Sequence, residues 1–288
     1  MAITTLYLVR HAESCSNIRR SSQTRRNPTR TDNTYRITHN GVLHEPTLSI
    51  RGYIQSFQLR DYISNSKDMI TYDKVICSPL IRTVITAMVS LSTFDNNKNT
   101  NVINIVPYVK LHHKKLSKIN RVSELKEKIH NFKKWFHKTG IHIYQLYREV
   151  NSLSPENIRT IHFPRINYTE LENYEHKFRE NETINNNKEF REYILRLHIS
   201  SVILFTHKRF IKQICHIHKE PLHTSITKMV MDTENETNTA NKQLYAPSKR
   251  VITLTINRKY ENEQCNTSMS FLNKASRRTR RQRIKNKE

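Results

Sequence analysis

The stretch that most constrains the fold is Leu6-Tyr-Leu-Val-Arg-His11, a short apolar run that opens directly onto an arginine and a histidine. An apolar run of this length, bounded at once by polar residues, reads as a buried strand. Leu6, Leu8 and Val9 form one edge that fills a core, and Arg10 and His11 stand at the strand's carboxyl end. Ligands of open α/β sheets bind outside the carboxyl ends of the strands. A guanidinium and an imidazole placed there make a phosphate site.

Other apolar runs repeat the pattern. Asp73–Cys77 and Val102–Val106 read as strands, and Val202–Phe205 reads as another that delivers Thr206-His207. Between them lie stretches of helical spacing: Tyr53–Ile63 with Ile54, Phe57 and Ile63; Leu80 to about Ser92 after the Ser78-Pro79 break; Glu189–Leu197; and Phe210, Ile211 and Ile214 after His207. Residues 16–46 form a long polar segment, 181–188 a loop and 231–249 a polar linker, with a last strand expected at Val251–Ile256. Strands alternating with helices give an α/β fold with a mainly parallel central sheet flanked by helices, a three-layer sandwich.

The middle of the chain, about 112–187, fits this pattern least and reads as an insertion. Within it Val122, Leu125, Ile129, Phe132 and Phe136 recur at helical spacing with Lys126, Lys128, Lys133 and Lys134 on other faces, a basic amphipathic helix whose simplest role is to pack its stripe on the domain. Residues 1–273 are read as one domain carrying that insertion, and 274–288, dense in Lys and Arg, as a basic disordered tail.

Across 288 residues, 49 Lys and Arg stand against 25 Asp and Glu, a formal charge of +24. Such a chain attracts polyanions in a salt-sensitive way, which admits a phosphorylated substrate and nonspecific nucleic-acid contact through the surface and tail. No run approaches the roughly 20 apolar residues of a membrane helix. Cys15, Cys77, Cys215 and Cys265 form no C-x-x-C pair, so reduced thiols and an intracellular place, cytoplasmic or nuclear, are the expectation.

Phosphoryl transfer needs a nucleophile, cations for the equatorial oxygens and an acid for the leaving oxygen. His11 is the candidate nucleophile, and nearby arginines would keep its imidazole neutral. Arg10 and Arg82 are candidate forks, since guanidinium matches phosphate bidentately. His207 is the candidate second histidine, and Asn17 and Ser14 are candidate substrate donors.

Three blocks, Arg-His-Ala-Glu-Ser-x-x-Asn from Arg10, Ser-Pro-Leu-x-Arg-x-x-x-Thr-Ala from Ser78, and the late apolar strand ending in Thr206-His207, resemble in order those of the histidine phosphatase superfamily, the phosphoglycerate-mutase-like family. Leu48-Ser-Ile-Arg-Gly52 is similar to the family's turn into its first helix. The resemblance implies the phosphoglycerate-mutase-like α/β fold and catalytic roles for Arg10, His11, Arg82 and His207. It also implies a phosphomonoesterase of the histidine acid phosphatase kind, working through phosphohistidine without metal or organic cofactor. A mutase fits less well, because the middle segment does not resemble the mutases' substrate-enclosing blocks. The alternative is a catalytically weak member that serves as a basic binding module for phosphorylated or nucleic-acid partners. Two departures stand out. The glutamate usual after the third strand is absent from Tyr108–Lys115, leaving His112, His113, Glu124 or Glu127 as stand-ins or else no acid and an impaired activity, and Lys208-Arg209 follow His207 where glycine is usual.

Overall fold

The computed structural model describes residues 3–18, 46–66, 68–95, 97–107, 121–177, 186–232, 238–248, Val251 and Cys265. Its elements in chain order are β1 (Ile3–Arg10), α1 (Ile50–Asn65), β2 (Lys74–Cys77), α2 (Ile81–Ser90), β3 (Thr93–Phe94), β4 (Val102–Ile105), α3 (Val122–Val150), β5 (Ile161–His162) and β6 (Arg165–Asn167), followed by α4 (Thr169–Lys177), α5 (Asn186–Leu197), β7 (Ser201–Thr206), α6 (Lys208–Ile214), β8 (Ile226–Asp232) and β9 (Asn238–Tyr245).

Burial on both faces of β1 sets the architecture. Leu6 and Leu8 point into one apolar layer and Tyr7 and Val9 into the other, so the run that reads as one edge of a strand serves both sides of a sheet. Both faces of a central parallel strand must be covered by helices. One layer joins the strands to α1, α2 and α3 through Ile54, Phe57, Val84, Ile85, Phe132 and Phe136. The other joins them to α5 and α6 through Phe190, Ile194, Phe210 and Ile211. The fold is thus the expected three-layer α/β sandwich.

Seven strands lie in the order β6-β4-β2-β7-β1-β8-β9. The first five run parallel, β8 is antiparallel to β1, and β9 is antiparallel to β8. The starts of two neighbouring strands are tied by Asp73, whose carboxylate accepts from the backbone N–H and hydroxyl of both Ser200 and Ser201 at 2.8–3.1 Å. The middle segment joins this framework, because β6 pairs with the edge of β4 and α3 packs on α1 through stacked and tilted rings: Tyr53 and Phe57 meet Phe132, Phe136 and Tyr144 with centroids 5.0–6.4 Å apart.

Several expectations need correction. The basic amphipathic helix extends over 29 residues, because aromatic residues continue its buried stripe through Tyr147. Asn186–Lys188 belong to α5 rather than to a loop, since a helix's first turn needs no apolar periodicity, while 178–185 lie outside the described residues. The linker over 231–249 contains the end of β8 and all of β9, a polar strand held by backbone pairing to β8. Val251 is buried and helical rather than the start of a strand, and 252–256 lie outside the described residues. So do 19–45 of the long polar segment and the tail 274–288. Cys15 and Cys265 form a disulfide across 250 residues, with Cα atoms 5.8 Å apart, against the expectation of reduced thiols. Cysteines so far apart in sequence carry no spacing signal, and disulfides belong to oxidising surroundings. Cys77 and Cys215 are free and buried. Among the described residues no helix is long and apolar enough to cross a membrane.

Phe57 is fully buried among the rings that join α1 to α3. Phe57→Ala is expected to lower unfolding free energy by about 3–5 kcal/mol, measured by urea denaturation. A loss below about 1 kcal/mol would mean that these helices do not share a core.

Candidate active site

The carboxyl ends of β1, β2 and β7 converge at one point. Register places Arg10 opposite Thr206, and the His11 N–H donates to the Thr206 carbonyl at 2.9 Å, so His11 and His207 leave neighbouring strands together. Their rings sit edge to face at 5.1 Å. After β2, the Ser78 N–H donates to the Phe205 carbonyl at 3.0 Å, and α2 then begins and brings in Arg82. Arg82 Nε donates to His11 Nε2 at 3.3 Å. Arg10, His11, Arg82 and His207, far apart in sequence, are thereby gathered at one end of the sheet.

The His11 tautomer follows from its contacts. Nδ1 lies 2.7 Å from the Ala12 carbonyl, which can only accept, so Nδ1 carries the proton. Nε2 then holds the lone pair, as its acceptance from Arg82 also requires. Burial, reinforced by the charge of Arg82 and by His207 and His223, pushes the His11 pKa well below the ordinary value. The imidazole is neutral, with its Nε2 lone pair beside the Arg82 guanidinium.

The loop after His11 is held from several sides. Thr86 Oγ1 accepts from the Ala12 N–H at 3.0 Å and donates to the Arg82 carbonyl at 2.7 Å, linking the loop after His11 to the turn that carries Arg82 through one hydroxyl. Ser49 caps α1 by accepting from the Gly52 N–H, and its hydroxyl also reaches the Glu13 carboxylate at 2.9 Å. At Gly52 an added Cβ would stand 2.0 Å from the Glu13 carbonyl oxygen, so only glycine permits this approach. Ser14 is buried, and its hydroxyl donates to Asn17 Oδ1 at 2.6 Å while its N–H reaches the same oxygen at 3.0 Å. These two candidate substrate donors are therefore spent partly on each other, and the Ser14 hydroxyl also lies 2.9 Å from that of Ser16.

Sequence reasoning missed His223. Its Nε2 lies 2.9 Å from Arg10 Nη2, and since guanidinium can only donate, this nitrogen accepts. Arg10 Nη1 donates to the Pro221 carbonyl at 2.5 Å, and Arg10 Nε is buried without a hydrogen-bond partner among the described residues. Burial first, and then the charges of Arg10, Lys208 and Arg51, push the His223 pKa down to about 3. Thr224 holds the backbone here in the left-handed region at φ 56°, costly for a β-branched residue, and donates its N–H to the Arg10 carbonyl at 2.9 Å. The sequence signal was slight: a histidine just before the apolar start of β8.

His207 Nε2 is 2.9 Å from Ser78 Oγ and 3.4 Å from Thr83 Oγ1. Two carboxylates border the site, each already engaged: Glu13 with Arg51 at 3.3 Å and Glu220 with Lys208 at 2.6 Å. Lys208, unexpected where glycine is usual, thus pairs with Glu220. Of the stand-ins for the missing acid, His112 and His113 lie outside the described residues with the rest of 108–120, while Glu124 and Glu127 sit exposed and half-buried on α3. Among the described residues no group of His, Cys, Asp and Glu is arranged to hold a metal ion.

No protein-family model and no curated protein matches the chain. Among solved structures it is similar to a putative alpha-ribazole-5'-P phosphatase from Escherichia coli, at 14% identity over 87% of this chain and 100% of that one, with a TM-score of 0.38. It is also similar to phosphoglycerate mutase from Bacillus anthracis, at 12% identity over 84% and 92%, with a TM-score of 0.41. A third similar structure is the protein histidine phosphatase SixA with tungstate, at 10% identity over 83% and 96%, with a TM-score of 0.37.

Two predictions rest on the local geometry. Gly52→Ala, by moving the Glu13 carbonyl, is expected to lower the thermal midpoint and loosen the 12–15 loop, read by faster amide exchange at Ala12 and Glu13; unchanged exchange would refute the close approach. His11 and His223 bind protons less readily folded than unfolded, so the unfolded chain takes them up first as pH falls below its ordinary histidine value of about 6.5. Stability should therefore be flat with respect to these groups above pH 7 and fall toward pH 3, each contributing up to about 1.4 kcal/mol per pH unit. His223→Gln should make the decline shallower in urea titrations between pH 6 and 4, and an unaltered slope would mean that His223 is solvated.

Proposed function

We propose that the protein is a phosphomonoesterase in which His11 carries the phosphoryl group. The observation that supports this most is the state of His11: neutral, with Nδ1–H directed at the Ala12 carbonyl and Nε2 presented 3.3 Å from Arg82 Nε. The Nε2 lone pair attacks phosphorus, the bond to the leaving oxygen breaks, and its electron pair leaves on that oxygen, which takes a proton. Water then attacks phosphorus, the P–N bond breaks with its pair returning to Nε2, and the water's proton is released with inorganic phosphate. Arg82 and Arg10 bind the equatorial oxygens and balance the charge that accumulates on them. Arg10 is suited to this by its buried Nε, which has no hydrogen-bond partner among the described residues. His207, held by Ser78, lies beside the nucleophile as a further donor to the phosphoryl oxygens.

Aryl phosphates are the substrates of choice for a test, because a phenolate leaves with little help from an acid. Wild-type protein mixed with an aryl phosphate and quenched without acid should show a phosphoryl adduct in intact-mass spectra and should release phosphate. His11→Ala should lose the adduct and at least about a thousandfold in kcat/KM. Arg82→Ala should lose about a hundredfold or more, chiefly in kcat. A folded wild-type protein that binds orthophosphate or tungstate but gives neither adduct nor turnover would overturn this reading in favour of a basic binding module.

A further inference from the structure

A second cavity lies on the outer side of α3, sharing none of the residues gathered around His11. Its volume is about 630 Å³, within the range of roughly 300–1,000 Å³ usual for small-molecule sites. One wall is a helical stripe: His130, Lys133, Lys134, His137, Lys138 and Ile141 recur every three or four residues along α3. The facing wall comes from Arg159, Ile161, His162 and Phe163, in and around β5.

This wall is built rather than merely exposed. β5 pairs with β3, Phe94 opposite Ile161 and Thr93 opposite His162. The Asp95 carboxylate accepts from the backbone N–H groups of Arg159 and Thr160 at 2.8 and 3.0 Å, and the Asp95 carbonyl accepts from His162 Nε2 at 2.5 Å. The floor is aromatic, with Phe136 and Phe163 edge to face at 5.5 Å. Gly140 lets the Phe136 ring lie against the helix, since a Cβ there would stand 2.4 Å from it.

Charge and shape together describe a ligand. Lys133, Lys134, Lys138 and Arg159 line the cavity with three histidines, and no lining residue is acidic. Like charges one helical turn apart repel, and a bound anion relieves that repulsion. A bare anion would leave the aromatic floor unused, whereas a flat ring joined to phosphates meets both parts. We propose that this cavity is a second ligand site, taking a nucleoside polyphosphate with its base on Phe163 and its phosphates among Lys133, Lys134, Lys138 and Arg159.

The test uses the full chain carrying Arg82→Ala, which weakens anion binding beside His11, with ATP, inorganic tripolyphosphate and adenosine as probes. Trp135, the sole tryptophan, lies next to Phe136 with ring centroids 6.0 Å apart, so its fluorescence reports on ligand binding and confirms that each variant is folded. ATP is expected to bind more tightly than either half. Lys138→Glu with Arg159→Glu should weaken ATP about tenfold or more, and Phe163→Ala should weaken ATP severalfold while leaving tripolyphosphate unchanged. The matched pair Arg209→Glu with Lys212→Glu, on the separate basic face of α6, should leave ATP binding within twofold. Absence of ATP binding, survival of binding in the first pair, or equal losses in both pairs would overturn the proposal. So would tripolyphosphate binding as tightly as ATP without dependence on Phe163, which would reduce the cavity to a nonspecific basic surface.

Discussion

The pairing of β1 with β7 is the constraint on which the candidate site rests. Parallel strands in one register end side by side, so Arg10 faces Thr206 and the next residue of each strand is a histidine. A slip of one residue would send every side chain of β1 to the opposite face. Leu6 and Leu8 would then exchange layers with Tyr7 and Val9, so the apolar packing that fixes the core also fixes the distance between the two imidazoles. The alignment of the two imidazoles is a by-product of burial on both faces of the sheet.

Electrostatics at the strand ends then follow from what that register encloses. Arg10, His11 and His207 are each under a tenth exposed. Burial, with Arg82 beside His11 and Arg10 beside His223, disfavours the protonated rings and keeps His11 and His223 neutral. His223 meets the Arg10 guanidinium as an acceptor, a role open to it only because it is uncharged. The same burial that costs stability on acidification leaves the His11 imidazole deprotonated at neutral pH.

The chain's excess positive charge has more than one structural expression. Part surrounds His11, and part lines the outer face of α3, where a cationic stripe is set against an aromatic floor. On α6, Lys208 is paired with Glu220, so one of the two cations that follow His207 is tied into the rim rather than offered freely to a ligand. Net charge alone could not separate these cases, because it speaks to association and not to arrangement.

The sequence by itself determined the strands and helices that are apolar and regular, the order of the three blocks, and the residue types at the strand ends. Burial leaves a periodic trace, and Arg10, His11, Arg82 and His207 each follow an apolar run that ends abruptly. Tertiary structure decided what has no local trace. β9 is polar and exists through backbone pairing with β8. Cys15 meets Cys265 across 250 residues. His223 reaches Arg10 only because β8 starts where β1 ends, with Thr224 held in a left-handed turn between them. Ser14 and Asn17, legible as donors, turn toward each other once the loop closes over Gly52. Periodicity records which residues are buried; which of them meet is set by register, crossover and close approach, and those are properties of the folded chain.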